Sequence, residues 1–108
     1  MEKYSVIITT CENKEQARNL GRGLVENKFA ACIQLIPIES MYQWEGKMVE
    51  AEETLLLVKT KTELFLEVEK YIISHHSYST PEIISLPIEK GFEKYLNWID
   101  ENTIKSIE

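Results

Sequence analysis

The middle third of the chain constrains the fold most, because it reads as one long β-hairpin. Residues 29–44 have the composition of extended structure interrupted only near Pro37, Glu45-Gly46 suits a tight turn, and residues 47–59 form a returning strand. Sixteen extended residues span about 53 Å, whereas a compact domain of this length is about 34 Å across. We therefore expect the hairpin to project from its domain and its tip residues, Tyr42 and Trp44, to pack on another subunit.

The segments around the hairpin predict an α+β architecture. We expect a strand over residues 3–10, a helix capped by Asn13 with Gln16 in the reciprocal position, a second helix opening with a capping box at residues 60–63, a strand over residues 82–88 and a final helix. The second helix should end near His75-His76. The order β-α-β-β-α-β plus a C-terminal helix is that of the ferredoxin-like split βαβ fold with an antiparallel sheet, in a single domain over residues 1–108.

The predicted sheet is apolar on both faces. Its strands carry apolar side chains at consecutive positions, as in Val6-Ile7-Ile8 and Leu55-Leu56-Leu57-Val58. In this fold the two main helices cover only one face, and Gly21 on the inner face of the first helix would let it approach the sheet closely. The other face needs a second cover, which predicts a homo-oligomer.

The charge and the cysteine content limit which partners and which cell compartment suit the chain. The net charge is −6 and the basic residues are scattered, so we expect no nucleic-acid partner. We find neither a signal segment nor a membrane span, and we expect no membrane partner. Cys11 and Cys32 are too few for a disulfide scaffold, and as free thiols they suit the cytoplasm.

Three residues are candidates for metal binding. Cys11 ends the first strand just before a helix N-terminus, where unpaired N–H groups can stabilise a thiolate, although a buried structural thiol is the alternative. His75 and His76 carry imidazoles, which suit copper, or they favour the dipole at a helix C-terminus. Adjacent helical residues project about 100° apart, so other ligands would come from Cys11 or a neighbouring subunit.

Two further sets of residues have structural and functional interpretations. Glu50, Glu52 and Glu53 form the densest acidic run, which is either a solvated strand edge or a source of oxygen ligands, and Glu50 and Glu52 should share one side of the strand. Four aromatic residues either pack in the core and at an interface or line a cavity between subunits. These are Tyr42, Trp44, Tyr95 and Trp98.

Five short patterns occur in order along the chain. They are Ala30-Ala31-Cys32, Tyr42-x-Trp44-x-Gly46-Lys47, Leu55-Leu56-Leu57-x-Lys59-Thr60, His76-x-Tyr78-x-x-Pro81-Glu82-Ile83-Ile84-x-Leu86-Pro87-Ile88 and Tyr95-x-x-Trp98. On these patterns the chain resembles the CutA family of divalent-ion-tolerance proteins over nearly its whole length.

The resemblance implies a ferredoxin-like homotrimer, related in architecture to the PII signalling proteins, with long hairpins wrapping neighbouring subunits. It implies a role in tolerance of copper and other divalent cations, and copper ligands at Cys11, His75 and His76. Some family members carry the cysteine two residues earlier, where this chain has Thr9. Ser77 and Ile38 also depart from the family, which often has proline and glycine there.

The sequence favours binding over catalysis. It contains no P-loop, no Ser-His-Asp order and no HExxH pattern, and we expect no organic cofactor. The leading hypothesis is a trimeric protein that binds divalent cations, copper in particular. The alternative is a PII-like sensor or partner-binding signalling module that uses clefts between subunits.

Overall fold

The computed structural model describes residues 2–105 and has the element order that the sequence predicts. Its elements are β1 (Tyr4–Cys11), α1 (Lys14–Glu26), β2 (Cys32–Trp44), β3 (Lys47–Lys61), a 3₁₀ turn (Thr62–Leu64), α2 (Phe65–His75), β4 (Ile84–Pro87) and α3 (Glu93–Glu101). The four strands form one antiparallel sheet in the order β2-β3-β1-β4. This confirms the α+β, ferredoxin-like split βαβ prediction. None of the helices in residues 2–105 is long and apolar enough to cross a membrane.

The hydrophobic core lies between the sheet and the helices α1 and α2. Alternate residues of the two central strands point into it, and Ile7, Leu56 and Val58 are fully buried. A Cβ atom on Gly21 would lie 2.9 Å from Cγ2 of Ile33 in β2. The absence of a side chain therefore lets α1 pack closely on the sheet, as the sequence analysis expected.

The opposite surface of the sheet, here called the far face, is also apolar. Among the apolar side chains that the strand register places on it are Val6, Ile8, Ile36, Leu55, Leu57, Ile84 and Leu86. Helix α3 covers only one end of this face, where Asp100 pairs with Lys61 and the ring of Tyr95 lies 5.6 Å from Nζ of Lys59. Ile84 and Leu86 remain 48% and 49% exposed. The second apolar face is thus confirmed.

The hairpin projects as expected. The β2–β3 pairing runs without a break from Cys32 opposite Lys59 to Trp44 opposite Lys47, whereas β1 accompanies β3 only as far as Cys11 opposite Thr54. We call residues 38–53 the arm and the rest of the described chain the body. The molecule measures 44 × 26 × 24 Å. At the tip of the arm Glu45 and Gly46 have φ values of 49° and 77°, which are typical of a two-residue type I′ turn.

Several predicted element boundaries are wrong. β1 covers Tyr4–Cys11 rather than residues 3–10, and β2 begins at Cys32 rather than at residue 29. The second helix does not begin at Thr60, because β3 continues to Lys61 and the buried Thr60 hydroxyl donates to the carbonyl of Phe29 at 2.6 Å instead of capping a helix. The last strand is shorter than predicted and covers Ile84–Pro87. Pro37 does not interrupt β2, because this strand lies at the sheet edge, where a missing N–H group faces outward.

The predicted capping of α1 is half correct. The Asn13 side chain accepts a hydrogen bond from the backbone N–H of Gln16 at 2.8 Å. The reciprocal bond does not form, because the Gln16 amide donates to Glu12 at 2.7 Å and accepts from Ser77 at 3.0 Å. Ser77, one of the departures from the family pattern, therefore ties the segment after α2 to the first turn of α1.

Candidate metal-binding site at the base of the arm

The ends of β1 and α2 meet at the base of the arm. Cys11 is the last residue of β1 and pairs with Thr54, where β1 leaves the sheet. His76 is the C-cap of α2, and the segment that follows it leads to β4. This convergence brings together residues that are 65 positions apart in the sequence.

The Cys11 thiol is buried and protonated. Its Sγ lies 3.8 Å from Nε2 of His76. Burial raises the pKa of Cys11 to about 11, and the nearby carboxylates of Glu53 and Glu12 add to the increase. The stabilisation of a thiolate by the N-terminus of α1, which the sequence suggested, is therefore outweighed.

The His76 ring makes hydrogen bonds with both of its nitrogens. Nε2 lies 2.6 Å from the carbonyl oxygen of Thr10, and Nδ1 lies 3.0 Å from the backbone nitrogen of Tyr78. A carbonyl can only accept, so Nε2 carries the hydrogen, and Nδ1 accepts from the N–H of Tyr78. The neutral ring thus joins the end of β1 to the segment after α2.

His75 lies in a different environment from His76. It is exposed, its Nδ1 lies 2.9 Å from the carbonyl oxygen of Tyr71, and its ring stacks on the Tyr71 ring at 4.0 Å. The structure therefore brings Cys11 and His76 together, whereas the His75 ring points back along α2 and stacks on Tyr71. Within residues 2–105, no group of three or more His, Cys, Asp or Glu side chains is arranged to hold a metal ion.

Sequence analysis missed the link between Tyr78 and the arm. The Tyr78 hydroxyl donates to Oε2 of Glu53 at 2.9 Å. Burial raises the pKa of Tyr78, as do its hydrogen bond to Glu53 and the charge of that carboxylate. The register confirms that Glu50 and Glu52 share one side of β3, and it places Glu53 on the other. Strand alternation was the signal that could have separated Glu53 from the acidic run.

Thr9, the alternative position for the family cysteine, lies deeper in the core than Cys11. Its side chain is fully buried, and its hydroxyl has no hydrogen-bond partner among the residues that the structure describes. Both residues point to the helix side of β1, two positions apart. Of these two side chains, it is that of Cys11 that contacts the imidazole of His76, with Sγ 3.8 Å from Nε2.

The chain matches known proteins over nearly its whole length. The family model for "CutA1 divalent ion tolerance protein" matches residues 5–102. The divalent-cation tolerance protein CutA of Thermus thermophilus is 42% identical over 99 residues, which cover 91% of this chain and 96% of the relative.

Solved structures of CutA proteins have the same fold. The structure from Archaeoglobus fulgidus, described as a periplasmic divalent cation tolerance protein, superimposes with a TM-score of 0.91 at 41% identity and covers 92% of this chain and 97% of its own. CutA1 from Oryza sativa superimposes with a TM-score of 0.92 at 37% identity and covers 97% and 98%. These matches, together with the fold and the order of motifs described above, show that the chain belongs to the CutA1 divalent ion tolerance protein family.

Proposed function

We propose that this chain is a homotrimeric protein that binds divalent cations, copper in particular, and that it works by binding rather than by catalysis. The observation that carries the proposal is the 3.8 Å distance between Sγ of Cys11 and Nε2 of His76. A metal ion lies about 2.3 Å from a thiolate sulfur and about 2.0 Å from an imidazole nitrogen in zinc sites, so one ion can bridge two atoms at this separation. Sulfur with imidazole suits copper and zinc better than magnesium or calcium.

Metal binding at this pair requires the loss of the Cys11 proton and a change of tautomer at the neutral His76 ring. The Cys11 thiol and Nε2 of His76 both carry hydrogen in the metal-free chain. A thiol and an imidazole bind metal in their deprotonated and neutral forms respectively, so the affinity should rise with pH. If Nε2 became a ligand, the ring hydrogen would move to Nδ1, and the ring would give up its hydrogen bonds to both Thr10 and Tyr78.

Two donors do not complete a metal site, and we assign the third to a second copy of the chain. His75 is the third residue of the predicted set, and it is exposed on the surface of α2. An exposed imidazole can reach a site on a neighbouring subunit, whereas within its own chain it is stacked on Tyr71. The proposed site is therefore linked to the proposed trimer.

Two surfaces support the trimer. The far face leaves Ile84 and Leu86 about half exposed, and the arm carries Trp44 at 53% exposure. Contiguous apolar surface of this kind marks an interface in a water-soluble protein. Neighbouring subunits that cover the far face and the arm would remove this surface from water.

The trimer is tested by comparing two exposed isoleucines. Light scattering of the wild-type chain should give a mass three times 12.6 kDa. Ile84→Glu on the far face should give monomers, whereas Ile73→Glu on α2, where the side chain is 58% exposed, should leave the mass unchanged. A monodisperse, folded wild-type species of 12.6 kDa would refute the trimer.

The metal site is tested by copper titration, followed by ligand-field bands and a competing chelator. Removing a group that only supports a ligand costs about 10–100-fold in affinity, so Cys11→Ser and His76→Ala should each cost at least that much. Cys32→Ser is the matched control and should leave the affinity unchanged. If the double change His75→Ala with His76→Ala binds copper as the wild type does, the site is not the one proposed.

The cysteines support both the proposed binding role and the proposed location. A protonated thiol with a pKa of about 11 is a weak nucleophile at neutral pH, which supports a role without catalysis. We assign the chain to the cytoplasm, because Cys11 and Cys32 are free thiols and a reducing compartment preserves them. A fusion to a fluorescent protein, imaged in cells and recovered by fractionation, checks this assignment.

A further inference from the structure

A hollow of about 320 Å³ lies between α1 and the edge strand β2. We call it the α1 hollow. Arg18, Arg22 and Val25 line it from the helix, and Ile33 and Leu35 line it from the strand. Its volume is at the lower end of the range for small-molecule pockets, which is about 300–1,000 Å³.

The α1 hollow lies on the helix side of the sheet, away from the far face. The register places Leu35 opposite Leu56, which is fully buried in the core beneath the helices. Side chains directly opposite each other share a face, so Leu35 and, two positions earlier, Ile33 point to the helix side. The proposed trimer covers the far face and the arm, and neither of these surfaces includes the α1 hollow.

The arginines at the α1 hollow have no acidic partner. Arg18 and Arg22 are the only arginines of the chain and lie one helical turn apart. Both are exposed, and neither pairs with an acidic side chain within residues 2–105. Lys14, the first residue of α1, lies one turn before Arg18 and is also exposed and unpaired in this range. The three side chains form a row of positive charge along one side of α1.

This row conflicts with the local preferences of a helix. Like charges four residues apart repel each other on a helix surface, and a cation at the first helical position opposes the helix dipole. The chain has 18 acidic residues against 12 basic ones, so its composition does not force cations to remain unpaired. Local conflicts of this kind are expected where residues serve a function. A bound anion would relieve the repulsion between the two guanidinium groups.

We propose that the α1 hollow binds a phosphate monoester, with Arg18 and Arg22 on the phosphate and the apolar wall of the hollow against the ester group. Guanidinium groups present paired donors that match phosphate oxygens, and two of them offset the two negative charges of a monoester. A carboxylate has only one charge and two oxygens. The site uses none of the proposed copper ligands, so it does not depend on the proposed function.

Binding is tested with phenyl phosphate, which combines the dianion with an apolar ring. The wild-type protein, freed of metal on a chelating resin, is titrated at low ionic strength. NMR follows the amides of α1 and the Nε–H groups of the two arginines. Inorganic phosphate tests the charge without the ring, benzoate tests the ring with a single charge, and potassium chloride at equal ionic strength controls for screening. Saturable shifts are expected with phenyl phosphate, and weaker binding is expected with the other two anions.

Matched substitutions test the lining of the α1 hollow. Arg18→Gln and Arg22→Gln should each weaken phenyl phosphate binding by about tenfold, as the loss of a hydrogen bond to a charged group does. Lys70→Gln removes the same charge from the exposed surface of α2 and should leave the affinity unchanged. Glu26→Gln removes a carboxylate from the lining and should strengthen binding. Val25→Ser should reduce the preference for phenyl phosphate over inorganic phosphate.

Three results would overturn the proposal. The first is a set of shifts that potassium chloride reproduces, and the second is equal weakening in Arg18→Gln and Lys70→Gln. The third is dissociation of the wild-type oligomer, measured by light scattering, when Arg18→Gln and Arg22→Gln are combined. That result would assign the row to contacts with a second copy of the chain. Cys11→Ser should retain phenyl phosphate binding even if it loses copper, so this proposal and the proposed copper site fail separately.

Discussion

The body and the arm share the same two strands but differ in what surrounds them. In the body, Leu56 and Val58 of β3 are fully buried between β1, β2 and the helices. In the arm the β2–β3 pairing continues to Trp44 opposite Lys47, yet Met41 and Met48 are 70% and 58% exposed. The backbone pairing does not change at the boundary, whereas the burial of side chains does.

This difference separates the two sources of stability in the hairpin. An isolated two-stranded hairpin is marginally stable in water, and a hydrophobic face against a third strand or a helix is what stabilises it. The body has such a face, whereas the arm has its ladder and its turn. Substitutions matched across the boundary therefore measure how far the arm is an independent unit.

The largest expected difference concerns side-chain truncation. In the Ile84→Glu background, which we expect to be monomeric, Leu56→Ala should lower the free energy of unfolding by about 2–5 kcal/mol, because it leaves a cavity in the core. Met48→Ala in the arm should change it by no more than about 0.5 kcal/mol, as exposed substitutions do. Urea unfolding measures both. Equal losses would mean that the arm tip is packed even in the monomer.

The next effect lies at Cys11, on the boundary between the body and the arm. Its pKa is raised from 9.0 to about 11, which lowers the thiolate fraction at neutral pH by about 100-fold. In a Cys32→Ser background, alkylation by iodoacetamide should therefore accelerate up to about pH 11. Glu53→Gln should move this inflection to lower pH, and an inflection at or below 9.0 in the parent would contradict the prediction.

The same shift affects stability. The folded chain keeps the Cys11 proton that the unfolded chain releases near pH 9.0, so the protonated thiol contributes fully below that pH. The contribution is lost as the pH rises toward about 11. A Cys11→Ser variant should show a shallower loss of stability over this alkaline range.

A smaller effect is expected at two residues within 2–105 that have positive φ without being glycine, one in each region. Lys28 (φ 60°) follows α1, where the N–H groups of Lys28 and Phe29 bond back to Val25 and Leu24 as in a Schellman motif, and Glu45 (φ 49°) lies in the arm turn. Lys28→Gly should raise the free energy of global unfolding by about 1 kcal/mol. Glu45→Gly should slow hydrogen exchange in the arm with less effect on global unfolding. Equal global effects would show that the arm unfolds together with the body.

The smallest expected effect is electrostatic and confined to the arm. Glu39 and Glu52 lie directly opposite each other, a like-charge pair that destabilises by about 0.2–1 kcal/mol. Glu52→Gln should therefore slow hydrogen exchange of the arm amides at low salt, and the gain should shrink at high salt. Glu50→Gln, opposite the uncharged Met41, is the control. A gain that is the same at high salt would show that charge repulsion is not its cause.

Local signals in the sequence predicted what depends on neighbours in the chain. The Glu45-Gly46 turn, the Asn13 cap and the consecutive apolar residues of the strands were found because each depends on residues a few positions apart. The start of α2 was misplaced because the Thr60 hydroxyl bonds to Phe29, which is 31 positions away. The capping pattern does not show that the hydroxyl of its first residue, Thr60, already donates a hydrogen bond to a distant carbonyl.

The candidate site shows the same limit. Cys11 and His76 could be named from their residue types and the family resemblance, and the structure places them in contact. The hydrogen bond of His76 to Thr10 joins two segments that are 66 positions apart, so no spacing in the sequence encodes it. The role of Glu53 beside Tyr78 likewise required knowing which face of the sheet that segment crosses.

Pro37 has a consequence for how another strand could attach to this molecule. It lies in the edge strand β2 opposite Thr54, at the level where β1 ends and only two strands continue. Having no N–H group, it breaks the outward row of donors at that level. An incoming strand can hydrogen-bond to β2 on one side of Pro37, but it cannot form a continuous ladder that runs past Pro37. Pro37 therefore disfavours continuous edge-to-edge pairing of identical chains along β2.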